Sequence, residues 1–144
     1  STHCISSAAS DVYKRQYTNN IHENNKNDTD ILAYLKLRII CAALNEGWEP
    51  QFTEDEWRYY PWFWLYTQKE INDMDEDEKT DRRLMSTGEY QTGYAGLAFA
   101  YSNYAPSHTN AAIGSRLCLK SDTLAVYCGK QFINIWADFC LIRK

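Results

Sequence analysis

The stretch Trp57-Arg58-Tyr59-Tyr60-Pro61-Trp62-Phe63-Trp64-Leu65-Tyr66 carries seven aromatic rings, and it constrains the fold more than any other part of the chain. Rings this bulky lose rotamer freedom against the preceding turn of a helix but pack well on a pleated surface, so the stretch is expected to be a strand. Pro61 has no N–H to give to a ladder, which places it at a sheet edge or a bulge. Strand alternation puts Tyr60, Trp62 and Trp64 on one face and Tyr59, Phe63 and Leu65 on the other. A sheet of few strands cannot bury both sets. One aromatic face is therefore expected to stay partly open to solvent.

Amphipathic segments flank this strand. A helix is expected to start near Thr29 or Asp30, either of which can cap the first turn. Ile31, Leu32, Leu35, Ile39, Ala42 and Ala43 form one apolar stripe at three- and four-residue steps, and Leu37, Ile40, Cys41 and Leu44 widen it. Gly47 sits where a left-handed C′ glycine would end that helix, and Pro50 blocks its continuation. Near the other end, Ser121 is a good N-cap for a last helix, along which Leu124, Ala125, Cys128, Phe132, Ile135, Trp136 and Phe139 follow the helical period. Gly129 inside it costs about 1 kcal/mol relative to alanine. Close packing against a neighbour is the usual reason to keep such a glycine.

Two further strands are expected, at residues 97–101 after Gly93 and Gly96, and at residues 115–119 with Leu117 and Leu119 on one face. Residues 67–95 read as an exposed acidic loop or solvated excursion with room for one helical turn, charged from Asp73 to Glu78 and then basic at Arg82 and Arg83. The class that follows is α+β: about three antiparallel, aromatic-rich strands packed with an N-terminal and a C-terminal helix. Residues 17–29 are a polar linker, and residues 30–144 form one domain.

Residues 1–16 stand apart. Ser6-Ser7-Ala8-Ala9-Ser10-Asp11-Val12-Tyr13-Lys14-Arg15-Gln16 resembles the translation of a transposon-type sequencing adapter, which implies a non-native, disordered leader. Removing it, with Lys14, Arg15 and Asp11, makes the balance one unit more acidic than the −4 of the full chain. An acidic chain disfavours nucleic acid as the main partner, because phosphate binding needs clustered positive charge. No apolar stretch reaches membrane-spanning length. Cys41, Cys118, Cys128 and Cys140 include no CxxC pair and have no histidine at ligand spacing. They read as core thiols in a reducing compartment.

Residues suited to catalysis are sparse. His22 lies in the polar linker and His108 in a Ser/Thr/Asn-rich loop, where a lone histidine is an ordinary solvated residue. The carboxylates from Asp73 to Glu78 lack the ligand order and glycine of a calcium loop. Gly114-Ser115-Arg116 lacks the second glycine of a nucleophile elbow. No cofactor or metal site is expected, and the chain reads as a binder rather than an enzyme.

Four blocks carry a family resemblance: Ala43-Leu44-Asn45-Glu46-Gly47-Trp48-x-Pro50, Tyr59-Tyr60-Pro61-Trp62-Phe63, Gly114-Ser115-Arg116-Leu117-Cys118-x-Lys120-Ser121 and Gly129-Lys130-Gln131-Phe132. In this order they resemble an uncharacterised protein family of gut Bacteroidales and their crAss-like phages. The resemblance implies a phage or prophage accessory protein in the bacterial cytoplasm or on the virion, and it implies no mechanism. It also marks residues 67–95 as an insertion. Separately, Asn110-x-x-Ile113-Gly114-x-Arg116-Leu117 resembles the end of retroelement-diversified C-type-lectin-like proteins, which makes residues 99–113 a candidate variable loop. The helix expected after it argues against that fold.

The candidate binding residues are therefore Tyr60, Trp62 and Trp64 on the strand, Arg116 near it, Trp48 after the first helix, and Tyr101 and Tyr104 in the 99–113 segment. A protein is the expected partner, with a variable-loop ligand as the alternative and an enzyme as a distant third.

Overall fold

A computed structural model describes residues 11, 28–106 and 115–144. The expectations for most of the leader, for the linker up to residue 27, for His22 and His108, and for residues 107–114 lie outside them.

Helix α1 spans Thr29–Asn45, and its N-cap is Asp28, without a side-chain capping bond, rather than Thr29 or Asp30. Its buried row is Ala33, Leu37, Ile40, Cys41 and Leu44, while Ile31 and Ala42 are exposed. The stripe that seemed secondary in the sequence is thus the one that enters the core. The reason is what it meets: Leu117, Leu119, Ala125, Cys128 and Trp136 close around it. Glu46 (φ 50°) and Gly47 (φ 88°) both take left-handed conformations to end the helix. The Trp48 N–H then donates to the Asn45 carbonyl at 3.0 Å.

Strand β1 (Trp57–Tyr66) pairs antiparallel with β3 (Gly96–Pro106), and the two-residue β2 (Met85–Ser86) pairs with the far side of β3. The sheet order is β1-β3-β2, so β1 is an edge, as Pro61 requires. Pairing also slips between Trp62 and Phe63, where Ala100 of β3 has no opposite number.

Three expectations need correction. Residues 115–119 are not a strand: Ser115–Leu117 is a 3₁₀ turn, and Leu119 makes a single bridge to Tyr59. Leu117, Cys118 and Leu119 are all buried between α1 and β1, so no face is left for strand alternation. The 67–95 excursion holds more than one helical turn, because α2 (Gln68–Asp73) and α3 (Glu76–Asp81) form within it before β2. Thr67 and Glu70 make a capping box for α2, and the Asp75 carboxylate caps α3 at Glu78 N. Its acidic residues gather in the first turn, where the helix dipole favours negative charge.

The last helix, finally, is two: α4 (Asp122–Gln131), capped by Ser121 as expected, and α5 (Ile133–Cys140), with Phe132 as the hinge between them. The break follows from what each piece covers. α4 lies on β1 and β3, whereas α5 lies mainly on α1, and one straight helix could not do both. Gly129 of α4 lets the helix settle against Pro61 and Phe99. Trp136 of α5 is 1% exposed and meets Phe63 at 5.9 Å between ring centroids. The C-terminal residues fold back onto residues 88–91, where Tyr90 bridges to Arg143 and donates its hydroxyl to Asp138 at 2.6 Å.

Candidate functional site

Directly opposed residues of an antiparallel pair share a face, so the register sorts the aromatic side chains. Tyr59, Phe63 and Leu65 point to the helices and pack against the core. Tyr60, Trp62 and Trp64 stand on the outer face, opposite Asn103, Tyr101 and Ala98 respectively. Trp62 and Tyr101 stack nearly parallel, with centroids 6.0 Å apart and planes 9° off. Both rings stay more than two-fifths exposed, Trp62 at 42% and Tyr101 at 43%, and Trp64 at 49% continues the surface.

The excursion after β1 covers only one end of this face. Ile71 and Leu84 lie on Gly96, where an added Cβ would stand 2.8 and 2.9 Å from their Cδ1 atoms. Beyond them Trp62, Trp64 and Tyr101 stay exposed, while Tyr60 is half-buried. Tyr104 does not belong with them. It opposes Tyr59, so it has the inner parity, and it meets Trp57 edge-on at 4.8 Å past the end of the core. Tyr101 and Tyr104 both stand on β3, not on a loop, so the 99–113 segment is a strand through Pro106.

Trp48 and Arg116 lie elsewhere. They line a cleft of about 320 Å³ at the C-terminal end of α1, together with Arg38, Ala42, Asn45, Glu49, Pro50 and Phe52. The Asn45 amide donates to the Cys118 carbonyl and accepts from Lys120 N, both at 3.0 Å, and so fixes the turn that carries Arg116 against the helix. Phe52 adopts φ 60°, a left-handed conformation that costs a bulky residue about 1–3 kcal/mol. Glu56 holds it there by accepting from Gln51 N at 2.7 Å and Phe52 N at 3.3 Å. The ring lies 4.3 Å from the guanidinium carbon of Arg58. Arg58 is 3% exposed, its Nε and Nη2 have no hydrogen-bond partner, and its one paired carboxylate, Glu56, is 4.0 Å away.

Sequence reasoning missed Arg38, Phe52 and Arg58. Arg38, Ala42 and Asn45 recur at helical steps as a stripe of small and polar residues, a signal that was available. Phe52 and Arg58 left none, because a left-handed phenylalanine and a buried arginine both defy residue preference.

The four described cysteines are free thiols; Cys41, Cys118 and Cys128 are buried, as expected, while Cys140 is exposed. Cys41 is held well above the ordinary thiol range, first by its hydrogen bond with Cys128 and then by burial. Burial also pushes Cys118 up. Among the described residues no group of His, Cys, Asp and Glu could hold a metal ion, and no helix is long and apolar enough to cross a membrane. Comparison with protein-family models, curated proteins and solved structures finds no match to the chain.

Proposed function

We propose that this chain is a non-enzymatic binding protein that engages a protein partner through the outer aromatic face of its sheet. The observation that carries this reading is the exposed stack of Trp62 on Tyr101, extended by Trp64. Tryptophan and tyrosine bring large, rigid contact area at little cost in conformational entropy, which is why they dominate binding hot spots. The acidic net charge of −4 supports a protein over a nucleic-acid backbone. Buried thiols with raised pKa values are protonated at neutral pH and poor nucleophiles, which supports binding over catalysis. The resemblance of the four sequence blocks adds the setting: an accessory protein of a phage or prophage, acting in the host cytoplasm or on the virion.

The test is capture from host and phage lysates with immobilised wild-type chain and with Trp62→Ala. Trp62 is 42% exposed, so the variant is expected to keep the fold, which its circular dichroism spectrum checks. Capture of a protein that Trp62→Ala loses supports the reading; equal capture by both removes this face from consideration. Binding of a single-stranded oligonucleotide, lost in the same variant, would replace the protein partner with nucleic acid.

A further inference from the structure

We propose that the cleft at the end of α1 is a separate site for a small ligand that joins one anionic group, a carboxylate or a phosphate, to a flat aromatic ring. The inference goes beyond the outer-face reading and does not depend on it. Arg38 and Arg116 both line the cleft, and neither takes part in an ion pair with any described carboxylate. The cleft holds one carboxylate of its own, Glu49, so a positive excess remains. Arginine's planar fork matches the oxygens of a carboxylate or phosphate. Trp48 and Phe52 supply aromatic wall and Ala42 and Pro50 short apolar floor, which suits a flat ring rather than a second charge.

Arg58 strengthens the case. Its cation is buried behind the Phe52 ring, the same ring that lines the cleft, with two nitrogens unbonded and a carboxylate no nearer than 4.0 Å. Arg58 is not itself a wall of the cleft and also meets the Cys118 thiol, but its charge adds to the positive excess beside the ring. The strained φ of Phe52 is the kind of cost that persists where a ligand is clamped. At about 320 Å³ the cleft matches the lower end of the roughly 300–1,000 Å³ typical of small-molecule sites, which sets the ligand at the size of a small metabolite rather than a polymer.

The experiment is a titration of the full chain, isotopically labelled, with indole-3-acetate and with adenosine 5′-monophosphate. Acetate, inorganic phosphate and adenosine serve as the separate halves. The readout is the Trp48 indole N–H and the Arg38 and Arg116 Nε resonances. The expected result is that one aromatic anion binds with Kd below about 1 mM. It should bind roughly tenfold more tightly than either of its halves, and whichever arm responds tells carboxylate from phosphate. Arg38→Ala and Arg116→Ala, both at exposed positions, should each weaken binding roughly tenfold with an unchanged circular dichroism spectrum, while Lys69→Ala on α2 should not. The proposal is overturned if neither aromatic anion binds with Kd below about 1 mM, or if a separate half binds as tightly. It is equally overturned if the arginine variants bind as tightly as wild type, or if the shifts fall on Trp62 and Trp64 instead.

Discussion

Gly129 of α4 meets Pro61 of β1 so closely that a Cβ on the glycine would lie 2.6 Å from the proline Cβ, and 2.7 Å from Phe99 Cδ2. Helix and sheet are in contact there, with no room for a methyl group. Gly129→Ala therefore sets a gain of about 1 kcal/mol in helix propensity against an overpacking cost of about 1–3 kcal/mol. A net loss of up to about 2 kcal/mol is expected in urea unfolding, because both neighbours are rigid rings. Gly96→Ala meets only the flexible ends of Ile71 and Leu84 besides the Met85 carbonyl at 3.3 Å, and should cost less. Equal losses at the two sites would mean that α4 is not seated on the sheet as described.

Trp136 tests the centre of the core. Its indole Nε1 is buried with no hydrogen-bond partner, so its contribution comes from packing alone. Trp136→Ala should cost about 3–5 kcal/mol. Trp136→Phe keeps much of the ring volume and removes the unsatisfied donor, so it should cost no more than about 1.5 kcal/mol. Denaturant melts followed by far-ultraviolet circular dichroism separate the two. A phenylalanine variant as damaged as the alanine one would require a partner for that N–H.

Stability should fall above about pH 9. Cys41 and Cys118 have folded pKa values raised above the ordinary 9.0, so the unfolded chain releases these protons first. The stabilisation is complete below the unfolded value and is lost as pH climbs toward the folded one, at up to about 1.4 kcal/mol per pH unit for each thiol. Tyr90, raised by burial and by its bond to Asp138, extends the loss above its ordinary 10.0. Cys41→Ala should make the alkaline decline shallower. An unchanged slope in that variant would remove Cys41 as a source.

Asn45→Ala should cost about 2–4 kcal/mol, because it leaves a buried carbonyl and a partly buried N–H without their partners. It should also loosen the turn at residues 115–117. Faster amide hydrogen exchange at Lys120 in the variant, with α4 protection retained, is the measurement that checks this.

How much of this was legible beforehand depended on whether a residue obeyed its usual preference. Trp62 and Trp64 could be assigned to one face because alternation is a property of the strand itself. Ser121 and Gly47 announced helix ends by chemistry that acts within a few residues. What stayed hidden depended on distant chain. Residues 117–119 have the alternation of a strand, but Cys118 is buried beside Leu117 and Leu119 because α1 and β1 close on both sides. The hinge at Phe132 arises because α4 and α5 must reach different partners, and no local signal records that. Arg116 is expected near the aromatic strand, and Trp48 carries no signal of what it faces. The left-handed turn at Glu46 and Gly47 takes Trp48 to the helix end, where Arg38 joins it.

The position of Pro61 has one more consequence. A ribbon as rich in tryptophan and tyrosine as β1, lying at the rim of a sheet, has the composition that recruits further strands into aggregates. Among the described residues its free side is engaged by Leu119 at Tyr59, and two residues later the proline offers no N–H to an incoming chain and lies under α4. A strand added along this edge would lose a ladder hydrogen bond at the middle of the ribbon, which disfavours pairing of the backbone while the rings stay available.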